Sequence, residues 1–219
     1  MKIFALVPAK KFENSKTRLS PMLSPEDRVQ LSSIMLQEML EKLATAPSLQ
    51  RIVVVSSDER ARELASSNGA TFLHEEKDNG VNAAVELFDS HTMSHHADAS
   101  IIIPQDLPLL DPQEIATITQ LAETEEMCIV ICPSQRYDGT NILLRKPPDA
   151  ISTFFDRNSY ENHIAAAKDM GVPVKLFLSK RLMMDVDTPE DARLLANDNS
   201  VKGSRALEFI NQKDLKRAA

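Results

Sequence analysis

Glycine is scarce. The 219-residue chain has only 5, against 12 prolines, where average usage would give about 15. They stand apart, at Gly69, Gly80, Gly139, Gly171 and Gly203. No short loop holds two of them. This excludes a G-x-x-x-x-G-K-S/T phosphate loop and a G-x-G-x-x-G dinucleotide fingerprint, which need clustered glycines for bare backbone to approach a pyrophosphate. Any phosphate handled here must be held more by side chains or metal ions.

Other shortages narrow the choice further. Lys plus Arg number 25 against 32 Asp plus Glu, a net charge of −7, so a uniformly basic nucleic-acid face is not expected. Long hydrophobic runs are missing: Ile101-Ile102-Ile103 is typical and far too short to span a membrane. The start, Met1 to Pro8, has one charge and a short apolar run with no small-residue cleavage pattern after it. It reads as a strand, not a signal peptide. Cys128 and Cys132 are the only cysteines. On a strand they share a face about 13 Å apart, too far to bridge each other. They read as buried thiols, and a cytoplasmic location is the expectation. No His/Cys cluster has zinc spacing, and no G-x-S-x-G elbow is present. The 42% hydrophobic and 26% charged residues suffice for a sizeable core.

Short β-branched runs alternate with longer amphipathic segments. Strands are expected at Lys2–Val7, Arg51–Val55, Thr71–His74, Ser100–Pro104 and Met127–Cys132. Between them fall helical segments, one opened by Ser24-Pro25-Glu26-Asp27, a serine cap followed by proline and acids. This rhythm argues an α/β fold: a Rossmann-like, mostly parallel sheet with helices on both faces. Asn141–Arg145 and Val174–Leu178 add strands, and Ser159–Met170 and the segment after Asp187-Thr188-Pro189 add helices. The expected division is one domain over 1–198 and a C-terminal helix or arm over 199–219. That last segment is either a dimer arm, giving a homodimer, or a surface helix.

Ligands of open α/β sheets bind at the carboxyl ends of the parallel strands, so the loops there carry the argument. The loop after the first strand holds Lys10, Lys11, Lys16 and Arg18 against one acid, Glu13. It is either a solvated basic loop or a phosphate holder, since lysine and arginine both suit phosphate oxygens. Asp106 directly follows an apolar strand and either caps its loop or binds Mg²⁺, which takes one or two carboxylates plus substrate phosphates. Asp185 and Asp187 flank Val186; in an extended stretch their side chains share a face, about 7 Å apart. Asp187 either caps the next helix or joins Asp185 and Asp106 in holding metal that neutralises a triphosphate. Asp138-Gly139-Thr140-Asn141 reads as a turn before a strand. Asn158-Ser159 opens a helix whose N-terminal amides favour an anion.

In this order, the segment from Lys10 to Leu19 with its Ser-Lys-Thr-Arg-Leu ending, Gly80-Val81-Asn82-Ala83-Ala84, Asp106-Leu107-Pro108, Asp138 to Asn141, Ser159 to His163 and Asp185 to Pro189 resemble the 2-phospho-L-lactate guanylyltransferase family. The resemblance covers roughly residues 1–195. The wider group is the molybdopterin-guanylyltransferase-like nucleotidyltransferases. The resemblance implies transfer of GMP from GTP to 2-phospho-L-lactate, giving lactyl-2-diphospho-5′-guanosine and pyrophosphate, in biosynthesis of coenzyme F420. It implies Mg²⁺ on Asp106, Asp185 and Asp187, and Lys10, Lys16 and Arg18 as catalytic residues on the triphosphate. Pro8, Gly80 and Asn82 would lie near the nucleotide, and Thr140 and Ser159 would bind the acceptor's phosphate and carboxylate. Relatives that use phosphoenolpyruvate typically have glycine three residues before that serine, where this chain has Asp156. A carboxylate there repels an anionic acceptor unless turned away. The alternatives are the same chemistry on phosphoenolpyruvate, another nucleotidyltransferase or glycosyltransferase of the fold, and a non-catalytic nucleotide sensor.

Overall fold

The structure, a computed structural model, describes residues 1–196 and 203–218. Seven strands form one sheet: β1 (Ile3–Pro8), β2 (Arg51–Ser56), β3 (Thr71–His74), β4 (Ala99–Ile102), β5 (Cys128–Pro133), β6 (Thr140–Lys146) and β7 (Val174–Leu176), in the order β3-β2-β1-β4-β6-β5-β7. The helices are α1 (Pro25–Ala44), α2 (Glu59–Ser67), α3 (Val81–Ser94), α4 (Pro112–Glu123), α5 (Ser159–Asp169), α6 (Pro189–Ala196) and α7 (Arg205–Ala218). Pairing is parallel for β1 with β2 and β4, β2 with β3, and β5 with β7. Strand β6 alone runs against its neighbours β4 and β5. Its cause is the Asp138-Gly139 hairpin: so short a connection can only reverse the chain, whereas a parallel return needs a long crossover.

Alternation along the strands sends side chains to two packed faces. Ala5, Val7, Val54, Ile101 and Leu144 meet α1, α2 and α4 through residues such as Leu40, Ala61 and Ile118. Phe4, Leu6, Val53, Ile102 and Leu143 meet Val85 and Phe88 of α3 and Ala167 of α5. Both cysteines are free and buried, as expected. A third cluster decides where the site sits. Leu19 and Leu23 of the first loop pack with Leu31 and Met35 of α1, with Met184 and Val186, and with Ala206 and Ile210 of α7. The start and the end of the chain are thereby held together. Helix α7 therefore lies against its own chain; the expected boundary at 198/199 lies outside the described residues. No helix among the described residues is long and apolar enough to cross a membrane.

The caps follow the local chemistry. Ser24 and Asp27 form a reciprocal capping box on α1, and Asp58 and Asp111 cap α2 and α4. Asp58 also accepts the backbone N–H of Phe12 at 2.8 Å, tying the loop after β1 to the start of α2.

Two buried polar groups brace the wall between β6 and α5. Arg145 is fully buried and binds Asp89 of α3 through both terminal nitrogens, at 2.5 and 3.1 Å, and the carbonyl of Ile151 at 3.2 Å. His163 of α5 accepts the N–H of Phe154 at Nε2 (2.8 Å), which leaves Nδ1–H to donate to Thr140 Oγ1 (3.0 Å). Burial, assisted by the nearby Arg145 charge, lowers His163 to about 4.

Two outcomes are expected. Asp89→Ala strands a buried guanidinium and lowers the unfolding free energy by about 3–5 kcal/mol, read by urea denaturation. His163 titrates near 6.5 when unfolded and about 4 when folded, so between those values the unfolded chain takes up the extra proton. Its contribution is fully present above pH 6.5 and is lost as pH falls to about 4, by about 3 kcal/mol. The difference between wild type and His163→Gln across this range isolates it, because Glu75 and Asp185, both shifted up, contribute with the opposite sign.

Candidate active site

The carboxyl ends of β1, β3 and β4 and the first residue of β6 open on one cavity of about 700 Å³. Its floor is a buried ion-pair centre. Lys16 stands between two 3-10 turns, Phe12–Asn14 and Thr17–Leu19, in a left-handed conformation (φ 54°, ψ 34°). That conformation turns the side chain inward, leaving it 4% exposed. Its ammonium donates to Asp106 Oδ2 (2.8 Å), the carbonyl of Val186 (2.8 Å) and Asp187 Oδ1 (3.0 Å). Burial pulls the Lys16 pKa down, but Asp106 and Asp187 outweigh it and hold the group charged. Burial likewise raises Asp187, and Lys16, Arg18 and Lys10 reverse this and keep it below the usual carboxylate range.

Asp187 is free for this role because it does not cap α6. Thr188 does: its hydroxyl accepts the N–H of Asp191, whose carboxylate accepts the N–H groups of Asp187 and Thr188. Asp185 differs from Asp187. Burial, then Asp106 and Asp187, push it up to about 6. Asn141 of β6 fixes it, donating to the Leu182 carbonyl (2.9 Å) and to Asp185 Oδ1 (3.3 Å).

The opposite wall is built on β6 and α5. Ser159 donates to Thr140 Oγ1 at 3.2 Å. Since Thr140 Oγ1 also accepts from His163, its own hydroxyl hydrogen is left for the cavity. Ser159 does not cap α5; the cap position is Asn158, left-handed at φ 56° and without a side-chain cap bond. Arg157 lines the cavity beside it.

The cavity brings together Pro8, Lys10, Lys16, Arg18, Gly80, Asp106, Thr140, Ser159, Asp185 and Asp187. Asn82 stands at the cavity's edge, next to Gly80 and Val81 of its lining. Its amide reaches across to the segment before α5, accepting the N–H of Phe155 (2.9 Å) and donating to Asp156 Oδ2 (3.2 Å). It occupies that position because the first turn of α3 faces that segment, and its effect is to restrain the Asp156 carboxylate. Sequence reasoning gave no role to His163, Asn141, Arg157 or Glu75. The signal for Asn141 and His163 was their place in quoted segments; for Arg157 and Glu75 there was none.

The three aspartates supply only hard oxygen donors, the set that Mg²⁺ takes together with phosphate and water. Among the described residues no group of three or more His, Cys, Asp or Glu is close enough to hold a metal by itself; the Lys16 ammonium stands between two of the three aspartates.

The chain is 37% identical over 198 residues to the phosphoenolpyruvate guanylyltransferase of Rubrobacter xylanophilus, covering 90% of this chain and 95% of that one. It is 35% identical over 212 residues to the 2-phospho-L-lactate guanylyltransferase of Methanothermobacter thermautotrophicus, covering 97% and 91%. The fold matches the crystal structure of a nucleotide-diphospho-sugar transferase from Desulfovibrio desulfuricans with a TM-score of 0.77 at 15% identity, covering 98% and 96% of the two chains. Residues 1–212 match the family described as "Guanylyl transferase CofC like". The chain belongs to this guanylyltransferase family.

Proposed function

We propose that this chain is a Mg²⁺-dependent, cytoplasmic guanylyltransferase that moves GMP from GTP onto 2-phospho-L-lactate, releasing pyrophosphate, in coenzyme F420 biosynthesis. The observation that carries this reading is the Lys16 centre, where a buried ammonium and three aspartates from distant parts of the chain share one cavity floor. An oxygen of the acceptor phosphate attacks the α-phosphorus in line. The bond from that phosphorus to the bridging oxygen of the β-phosphate breaks, and pyrophosphate leaves with the electron pair. Phosphate is already a nucleophile, so catalysis is positioning and charge neutralisation. Lys10 and Arg18 hold the triphosphate and oppose the charge gathering on pyrophosphate, and Lys16, whose three donors are taken by Asp106, Val186 and Asp187, adds its positive charge to the cavity floor. Thr140 and Ser159 hold the acceptor, with His163 fixing the direction of the Thr140 hydroxyl. Asp106, Asp185 and Asp187 would hold Mg²⁺, which supplies neutralisation of the nucleotide's phosphates.

Phosphoenolpyruvate is the second acceptor. It is favoured by the 37% identity to a protein named for it; the Asp156 carboxylate lines the cavity, held at one oxygen by Asn82. The chain assembles as a homodimer in this reading, which light scattering tests: the mass of a single chain overturns it.

Incubation with GTP, Mg²⁺ and each acid in turn should release pyrophosphate, and chelation of the metal should stop it, with Mg²⁺ restoring it. Absence of release with both acids overturns the reading. Asp185→Asn should cut turnover by about a hundredfold or more while the melting temperature holds or rises, because a buried carboxylate crowded by Asp106 and Asp187 is removed. Unchanged turnover removes Asp185 from the metal set.

A further inference from the structure

At the end of the cavity farthest from the acceptor wall lies a group the reaction above does not use. Glu75 follows β3 directly, and its N–H continues the ladder by donating to the Ser56 carbonyl at 3.1 Å. The residue is only 6% exposed, yet it lines the cavity. No hydrogen bond or ion pair to a described residue reaches its carboxylate. The carboxylate opens on the cavity, so the donors that the protein does not give it are to be sought in what enters there. The loop between β3 and α3 gives the cavity two carboxylates, Glu75 and Asp78, and no cation. Asp78 is turned to the N–H of Gly80 at 3.3 Å. Phosphate is thus repelled here, and a neutral group rich in N–H is attracted.

Strand order sets the distance. Glu75 and Asp106 follow β3 and β4, three places apart in β3-β2-β1-β4, which is about 14 Å at the usual strand spacing. That is about the reach of an extended nucleoside monophosphate from α-phosphate to base edge. Of the common bases, guanine alone presents two adjacent donors, N1–H and the 2-amino group; adenine and cytosine pair a donor with an acceptor, and uracil has one donor.

We propose that Glu75 is the guanine-selecting residue, its carboxylate accepting both N1–H and the 2-amino group of the nucleotide. This rests on the GTP reading above. Burial and the Asp78 charge push empty Glu75 up to about 7, a sign of how poorly its charge is met before a donor arrives.

The test is calorimetric binding of GTP, ITP and ATP to the full chain in Mg²⁺ without acceptor. Wild type should bind GTP at least about tenfold more tightly than ATP, and about tenfold more tightly than ITP, which lacks the 2-amino group. Glu75→Gln should weaken GTP by about 10- to 100-fold, leave ATP unweakened, and melt no lower than wild type. Equal binding of GTP and ITP by wild type, equal binding of GTP and ATP, or an unchanged GTP-to-ATP ratio in Glu75→Gln each overturns the assignment. The ITP comparison decides even if the variant does not fold. Pyrophosphate release separates the two readings: release from GTP with an unchanged base ratio in the variant sinks Glu75 alone, and guanine-selective binding without release on either acid sinks the catalytic reading alone.

Discussion

The ammonium of Lys16 is the point on which the rest of this structure depends. Its three acceptors lie on residues 90, 170 and 171 positions away in sequence, so one side chain ties the loop after β1 to the loop after β4 and to the segment before α6. Burying a charge is expensive unless it is well paired. Here the pairing comes from two carboxylates and a carbonyl that themselves need a cation. Apolar packing of Leu19 against Val186 and Met184, with Leu109 of the loop after β4 packed on the same cluster, holds the same three segments in register from outside. Packing brings the strands of chain together, and the ion pairs give the junction its chemistry.

Backbone strain is concentrated around the same cavity. Of the four non-glycine residues with positive φ among those described, Lys16 and Asn158 line it and Tyr137 sits in the hairpin beside it. Such conformations persist only where the surroundings impose them. At Lys16 the imposing force is the ion-pair centre; at Asn158 it is the demand that Ser159 face Thr140.

Much of the fold was legible because its signals are local. Runs such as Val53-Val54-Val55 can only be buried strands in a chain with this turn chemistry, and Ser24-Pro25 or Asp111-Pro112 announce helices within a few residues. The loop of Lys16 and the aspartates Asp106, Asp185 and Asp187 were also visible, since they follow strands and carry concentrated charge. What escaped depends on partners far away in sequence. Whether Asp187 or Thr188 caps α6 is settled by Asp191 and Lys16 together. The bonds of Asn82 were hidden because its partners, Phe155 and Asp156, come 73 and 74 residues later. Glu75 and His163 look ordinary in sequence; only burial makes one an unpaired acid and the other a neutral relay.

The single reversed strand has a wider consequence. Because β6 enters the rim by its first residue, Thr140, while β1 and β4 reach it by their last, the two ends of the cavity belong to separable pieces of chain. One is a hairpin with the helix that follows it; the other is a set of loops locked together by Lys16. Side-chain amides cross between them: Asn82 of α3 reaches Phe155 and Asp156, and Asn141 of β6 reaches Asp185. A shift of either piece is therefore passed to the other, and the two walls of the cavity are set together rather than one at a time.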